Sequence, residues 1–258
     1  MRPVQALRDL TASFDSADML ALCYHRIRSR ARFAAQMSFL AERGYTVLSM
    51  EQFIERFAHR QPTNQPAVLL TFDTCHSEQL ESVARVLESF KFPATFFPLS
   101  RTLDPRPKWS PGQDTTRLLD LVQSGHTIGC HTHSHRYLTV LGEAELYDEV
   151  VGSKHRLEDA LGHRITAFCY PYGTYNARVV SVVREAGFQV SFTVDLGGVG
   201  PGDDRYRLKR VPVLGEPEAG EFAGYLAGTV FLSGSILLYW KLRERRLDRQ
   251  ERWAADDL

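Results

Sequence analysis

Hydrophobic and polar positions follow two different periods along this chain. Short apolar runs bounded by polar or turn residues are typical of buried strands. They predict strands over residues 19–24, 67–72, 94–98, 127–130, 165–169 and 189–193. Between them, apolar residues recur every three or four positions, which predicts amphipathic helices over residues 32–43, 79–90, 141–161 and 177–186. This alternation predicts the α/β class with a parallel sheet, either open or closed into a barrel.

Composition narrows the function classes. The chain has 258 residues, enough for one α/β barrel, and its 31 Lys and Arg residues balance 31 Asp and Glu residues. A nucleic-acid-binding protein usually has a basic excess, so we expect no nucleic-acid partner. Charges interrupt the N-terminal segment and no signal peptide is seen, so we expect a cytoplasmic location. The four cysteines have no CxxC spacing, which argues against a disulfide framework.

The C-terminal part differs in composition from the rest. Residues 222–240 carry no charge, and a basic segment follows over residues 241–252. A helix over the uncharged run would span roughly 28 Å, close to the ~30 Å of a bilayer core. We therefore expect a lead-in over residues 1–18, a domain over 19–218, and an apolar helical segment with a basic tail over 219–258. Residues 222–252 either attach to a membrane surface or begin with a last barrel helix over 222–228.

Candidate chemistry follows the apolar runs, where barrel enzymes place their active sites. Asp73 comes directly after one run, although a lone Asp there also serves as a helix N-cap, and a lone His25 after the first run is commonly structural. His131 and His135 are four residues apart, so on a helical turn they would share a face and could bind one metal ion. A solvated histidine-rich turn is the alternative.

A further turn follows the strand predicted over residues 165–169. Pro171 and Gly173 favour a tight turn. Such a turn can direct backbone N–H groups at a developing oxyanion, or it can simply reverse the chain.

Five segments, taken in order, resemble the polysaccharide deacetylase (NodB homology) family, also called carbohydrate esterase family 4. They are LTFDTC, KFPATFF, SGHTIGCHTHSHRYLT, FCYPYGTYN and RYRLKRVPV. The resemblance covers residues 19–215. The YHRI segment at residues 24–27 is similar to the biofilm poly-N-acetylglucosamine deacetylase branch. In that branch the motif with the histidine that acts as general acid lies at the N-terminus, by circular permutation.

The resemblance implies a distorted (β/α) barrel of the NodB type with a divalent metal, commonly zinc, at its mouth. Its substrate would be an N-acetylated carbohydrate. It implies a general base at Asp73, a general acid at His25 and metal ligands at His131 and His135. It also implies an oxyanion-hole donor at the Tyr172 backbone N–H, with Tyr170, Pro171 and Tyr172 facing the substrate.

Three positions depart from the family pattern. Thr74 stands where the family has an Asp that is the third metal ligand, Cys75 stands for Gly, and Cys169 stands for an Arg. Thr74 is a weak neutral ligand, so we expect weak metal retention unless Cys75, His76, His133 or the substrate compensates. We attribute the cysteines near these positions to the packing of small residues at strand ends, except Cys75, whose thiolate would be a good zinc ligand.

Three functions remain open from the sequence. The first is a metal-assisted hydrolase that removes N-acetyl groups from N-acetylhexosamine units of a polysaccharide, oligosaccharide or lipid-linked sugar. The second is a carbohydrate-binding protein that kept the fold and lost turnover, for which Thr74 is the main support. The third is a metal-independent amide hydrolase. A metal assay separates the first from the third, and acetate release separates the first from the second.

Overall fold

The structure, a computed structural model, describes residue 14 and residues 17–59, 65–74, 77–103 and 115–229. Within these ranges the chain forms eight strands, β1 Met19–Tyr24, β2 Thr46–Leu48, β3 Ala67–Asp73, β4 Thr95–Phe97, β5 Thr127–Ile128, β6 Ala167–Cys169, β7 Val190–Leu196 and β8 Leu208–Pro212. The helices between and after them are Arg30–Glu42, Met50–His59, Ser77–Phe90, Thr115–Gln123, Glu143–Tyr147, Ser153–Leu161, Ala177–Glu185 and Ala219–Leu226.

The strands form a parallel barrel. Their order is β5-β4-β3-β1-β8-β7-β6, and β2 pairs with the first half of β3. The two ends of this order meet because Cys130 and Phe168 form a parallel bridge. There the Cys130 N–H donates to the Ala167 carbonyl and the Cys169 N–H donates to the Cys130 carbonyl, each at 2.9 Å. The predicted distorted (β/α) barrel is confirmed.

Side chains of β3 alternate between two buried layers. Val68, Leu70 and Phe72 belong to the outer core between the strands and the helices. Ala67 and Leu69 belong to the core inside the barrel. Because side chains alternate with a period of two, Asp73 points into the barrel at its C-terminal mouth. The apolar pattern of β3 therefore places the first candidate catalytic side chain.

Some predicted elements differ from those in the structure. The single helix predicted over residues 141–161 is interrupted by a π-helical turn, Asp148–Gly152, between two α-helical segments. One inserted residue in a helix leaves the apolar spacing almost unchanged, so the pattern does not show it. The strand β2, Thr46–Leu48, was not predicted.

The structure describes only the first residues of the uncharged run 222–240, up to residue 229. Its first residues belong to the helix Ala219–Leu226, in which Phe222 is buried and packs edge-on against Phe39 at 6.0 Å between ring centroids. Gly228 then takes the left-handed conformation at φ +71°, which ends the helix. The rest of the run and the basic tail lie outside the described residues. Among the described residues, no helix has the length and hydropathy of a membrane-spanning segment.

His126 gives a prediction for the dependence of stability on pH. It is buried against Phe96, and neither ring nitrogen has a hydrogen-bond partner among the described residues. Burial lowers the pKa of His126, against an opposing effect of Glu88. The unfolded chain, with a His pKa of about 6.5, therefore binds more protons below that pH. We expect the free energy of unfolding to fall as pH drops below about 6.5, and His126→Phe to flatten this slope in urea titrations. An unchanged slope would exclude His126 as its source.

Candidate active site

Asp73 forms a buried ion pair with Arg210 inside the barrel mouth. Arg210 Nη1 donates to Oδ1 at 2.8 Å and Nη2 donates to Oδ2 at 2.7 Å. Asp73 is 2% exposed and Arg210 is fully buried. Burial by itself raises the pKa of Asp73, but the charge and hydrogen bonds of Arg210 outweigh it and hold this pKa well below its usual range. Asp73 is therefore a carboxylate at neutral pH.

The remaining guanidinium donors of Arg210 are also used. Nε donates to the Thr193 carbonyl at 2.8 Å, and Nη1 donates to Thr71 Oγ1 at 3.2 Å. Nη2 also donates to Cys169 Sγ at 3.1 Å. Counting the pair with Asp73, each of the five N–H groups has an acceptor. The sequence interpretation missed this role, although an arginine within an otherwise buried short strand is a signal for it.

Two thiols flank the Asp73 carboxylate. Cys169 Sγ lies 3.3 Å and Cys23 Sγ lies 3.6 Å from Oδ2. Burial raises the pKa of Cys169 well above its usual value, so it remains a thiol and a weak donor. These cysteines therefore contact the site residue directly, beyond the packing role expected for them.

His131 is arranged as a metal ligand would be. It follows the barrel-closing bridge at Cys130, and its Nδ1–H donates to the Cys169 carbonyl at 2.8 Å. This bond fixes the ring and leaves Nε2 as the electron-pair donor, the usual arrangement for a ligating histidine. Burial lowers the pKa of His131 to about 4, although the Asp73 carboxylate opposes it. The ring is thus neutral at pH 7, as metal binding requires.

The loop from His131 to His135 is not a helical turn, which corrects the prediction from their spacing. Thr132 and His135 have φ of 72° and 66°, the left-handed region. An i, i+4 spacing carries no information about such backbone angles. The loop still brings the two imidazoles together, with 4.7 Å between ring centroids. His133 points elsewhere, and its Nδ1 lies 3.0 Å from Ser100 Oγ.

The described residues fit a divalent cation at two positions, His131 and His135. No described residue offers an equally suitable third ligand atom. Asp73 lies within 4.8 Å of a ligand atom of His131, but both its oxygens are engaged by Arg210. Thr74 has φ 51° and offers only a neutral hydroxyl. The two other candidates, Cys75 and His76, lie outside the described residues.

His25 lies at the barrel mouth, directly after β1. Its side chain is exposed, and a ring nitrogen lies within 4.8 Å of an Asp73 carboxylate oxygen. The structure therefore brings His25 and Asp73 together from strands β1 and β3, which pair along their length.

The turn after β6 contributes the last predicted residues. Tyr172 has φ 57° and Gly173 has φ 68°. A Cβ on Gly173 would lie 2.6 Å from the Val194 backbone nitrogen, so only glycine fits there. The Tyr172 ring stacks on Tyr137 at 3.9 Å and lies 4.5 Å from the His135 ring.

The other two residues of this turn are not at the mouth surface. Tyr170 and Pro171 are buried. The Tyr170 hydroxyl donates to the Tyr206 carbonyl at 3.0 Å, so its polar end is used within the barrel wall. The structure thus brings Tyr172, but not the Tyr170 hydroxyl, beside the histidines.

Comparison with known proteins identifies the family. The family model described as Polysaccharide deacetylase matches residues 60–191. A poly-beta-1,6-N-acetyl-D-glucosamine N-deacetylase of Staphylococcus epidermidis is 22% identical over 233 residues, covering 78% of this chain and 80% of that protein.

Solved structures share the fold. The Streptococcus pyogenes deacetylase PplD in complex with acetate has a TM-score of 0.74 at 18% identity, covering 81% of this chain and 97% of that one. IcaB from Ammonifex degensii has a TM-score of 0.71 at 24% identity, covering 83% and 97%. The chain thus belongs to the polysaccharide deacetylase family, carbohydrate esterase family 4, and it is a deacetylase.

Proposed function

We propose that this deacetylase hydrolyses the N-acetyl groups of N-acetylhexosamine units in a polysaccharide, an oligosaccharide or a lipid-linked sugar. The observation that carries the proposal is the ionised Asp73 within 4.8 Å of ligand atoms of both His131 and His25. A carboxylate base, a histidine acid and a metal-binding imidazole together can carry out metal-assisted amide hydrolysis. The name of the Staphylococcus epidermidis relative supports an N-acetylglucosamine polymer as the substrate class.

Members of this family are in general metal-dependent. Here Nε2 of His131 and the ring of His135 would hold the cation, and we propose zinc because neutral imidazoles suit it. A bound divalent cation supplies Lewis-acid polarisation of the acetyl carbonyl and a lowered pKa for bound water.

The protein groups have distinct roles in the proposed hydrolysis. Asp73 accepts the proton of the attacking water at Oδ1, which keeps a lone pair beyond its bond to Arg210, whereas Oδ2 also accepts from the two thiols. His25 gives a proton to the sugar nitrogen as the C–N bond breaks, which releases acetate and a free amine. The Tyr172 N–H donates to the oxyanion, and its left-handed backbone fixes the direction of that N–H. Arg210 keeps the base ionised.

Thr74 supports a second candidate, a carbohydrate-binding protein without turnover. Because Thr74 is a weak neutral ligand in place of a carboxylate, it also supports a third candidate, a metal-independent amide hydrolase. Removing metal with a chelator separates the mechanisms. We propose that chelation abolishes acetate release and that added Zn²⁺ restores it. Release that survives chelation would favour the metal-independent reaction, and binding of sugar without release would favour the binding protein.

Thr74→Asp is expected to tighten Zn²⁺ binding by at least about tenfold, the lower end of what an outer partner of a ligand contributes. The new carboxylate would supply the ligand that the family pattern has here. Asp also tolerates the left-handed φ of 51° at this position better than β-branched Thr does. Zn²⁺ titration of chelator-treated protein measures the change. Equal affinities for both proteins would mean that another residue, such as Cys75, already completes the ligand set.

A further inference from the structure

The backbone of the loop from His131 to His135 is held from two sides. On one side its carbonyl groups accept hydrogen bonds from a neighbouring turn, with Ser100 N–H donating to Thr132 at 3.0 Å and Arg101 N–H donating to His133 at 3.2 Å. On the other side its N–H groups donate to side chains. One of these bonds is internal, from the His135 N–H to Thr132 Oγ1 at 3.1 Å.

The two other N–H groups share one acceptor, the carboxylate of Glu149. His133 N–H and Ser134 N–H donate to Oε2 at 3.0 and 2.9 Å. Ser134 Oγ donates to Oε1. A single side chain thus binds three donors of the loop that carries both proposed metal ligands.

Glu149 has no other role visible in the described part of the chain. It is 4% exposed and forms no ion pair with any described residue. A buried carboxylate is costly unless donors compensate its charge, and the loop supplies those donors. Glu149 lies on the π-helical turn Asp148–Gly152, and such turns occur frequently at functional sites.

The loop needs this support because its backbone is unfavourable for the residues that form it. Thr132 and His135 both have positive φ, a conformation that non-glycine residues keep only where the surroundings fix it. Without the Glu149 carboxylate, two half-buried N–H groups would lose their acceptor. The loop would then relax toward other conformations and move His135 relative to His131, whose ring is anchored separately by the Cys169 carbonyl.

We propose that Glu149 is a positioning residue that holds His135 beside His131 and thereby sets the metal affinity of the pair. This inference rests on the proposed function, in which the two histidines bind a metal. Glu149 acts through the loop backbone and contacts neither imidazole in the hydrogen bonds of the described residues.

Two conservative variants of the full chain separate the reach of this side chain from its charge. Glu149→Asp keeps the charge but withdraws the carboxylate by one methylene group. Glu149→Gln keeps the length, its amide oxygen can accept both backbone N–H groups, and its NH₂ can donate to Ser134 Oγ. Zn²⁺ alone is titrated into chelator-treated protein against a chromophoric competitor, with circular dichroism as the check on folding. We expect Glu149→Asp to weaken Zn²⁺ binding about 10–100-fold and Glu149→Gln to bind like the wild type.

Glu158→Asp is the matched control. Glu158 lies on the same helical stretch and accepts a backbone N–H from Ile165 at 2.8 Å, but it does not contact the His131–His135 loop. We expect this variant to keep wild-type affinity. The inference is overturned if Glu149→Asp binds like the wild type, if Glu149→Gln loses more affinity than Glu149→Asp, or if Glu158→Asp weakens binding equally. If the wild type itself binds no Zn²⁺, the proposed metal site fails together with the inference.

Discussion

Replacing Asp73 by asparagine is expected to lower kcat for acetate release at least about 100-fold, the low end of what a general base contributes. Asparagine keeps the shape of the side chain and one carbonyl oxygen, but it cannot accept the proton of the attacking water at neutral pH. Because the proposed role concerns the chemical step, we expect kcat to fall and KM to change little. Steady-state acetate release measures both.

Stability must be followed in the same experiment, because asparagine leaves the buried Arg210 charge without its partner. Circular dichroism at the assay temperature shows whether the variant is folded. Asp120→Asn, on the exposed face of an outer helix, controls for the loss of one carboxylate and should keep full activity. A folded Asp73→Asn protein with the wild-type rate would show that Asp73 is not the base.

Replacing Arg210 by methionine is expected to reduce the free energy of unfolding by about 3–5 kcal/mol, the usual effect of removing one partner of a buried ion pair. The variant leaves Asp73 in the barrel without a counter-charge and the Thr193 carbonyl without its donor. Burial would then raise the pKa of Asp73, so the base would be protonated closer to neutral pH. Urea unfolding measures the loss of stability.

The neighbouring residue in β8 provides the control. Lys209 pairs with Asp203 at 2.9 Å near the surface, so Lys209→Met should cost at most about 1 kcal/mol. We also expect the double variant Asp73→Asn, Arg210→Met to lose less stability than the sum of the single variants, because it leaves no uncompensated charge. Similar losses for Arg210→Met and Lys209→Met would mean that the buried pair has no special part in stability.

The site residues whose positions could be predicted from the sequence are those at the ends of apolar runs. Asp73 ends the buried strand β3, His131 comes soon after β5, and the Pro171–Gly173 turn follows β6, so their places at the barrel mouth could be predicted. In each case the strand period and the parallel topology decide where the side chain goes.

The site residues that could not be predicted make contacts with residues far away in the sequence. Arg210 is 137 positions from Asp73, and Glu149 binds the histidine loop 15 and 16 positions away through its backbone. Neither contact leaves a periodic signal. The left-handed backbone at Thr132 and His135 also has no signature in residue spacing, which is why the helical-turn interpretation was wrong. Of the uncharged run 222–240, only the end of the helix Ala219–Leu226 and the turn at Gly228 are described, so membrane attachment of this run stays a prediction.

The central claim is that this chain hydrolyses N-acetyl groups with Asp73 as the base. The most direct test incubates the zinc-supplemented wild type with an oligomer of N-acetylglucosamine and measures acetate and free amine together. The account predicts equal amounts of both products from the wild type, and at least about 100-fold less of each per unit time from Asp73→Asn. Sugar binding with no acetate from the wild type, or equal release by the two proteins, would contradict it.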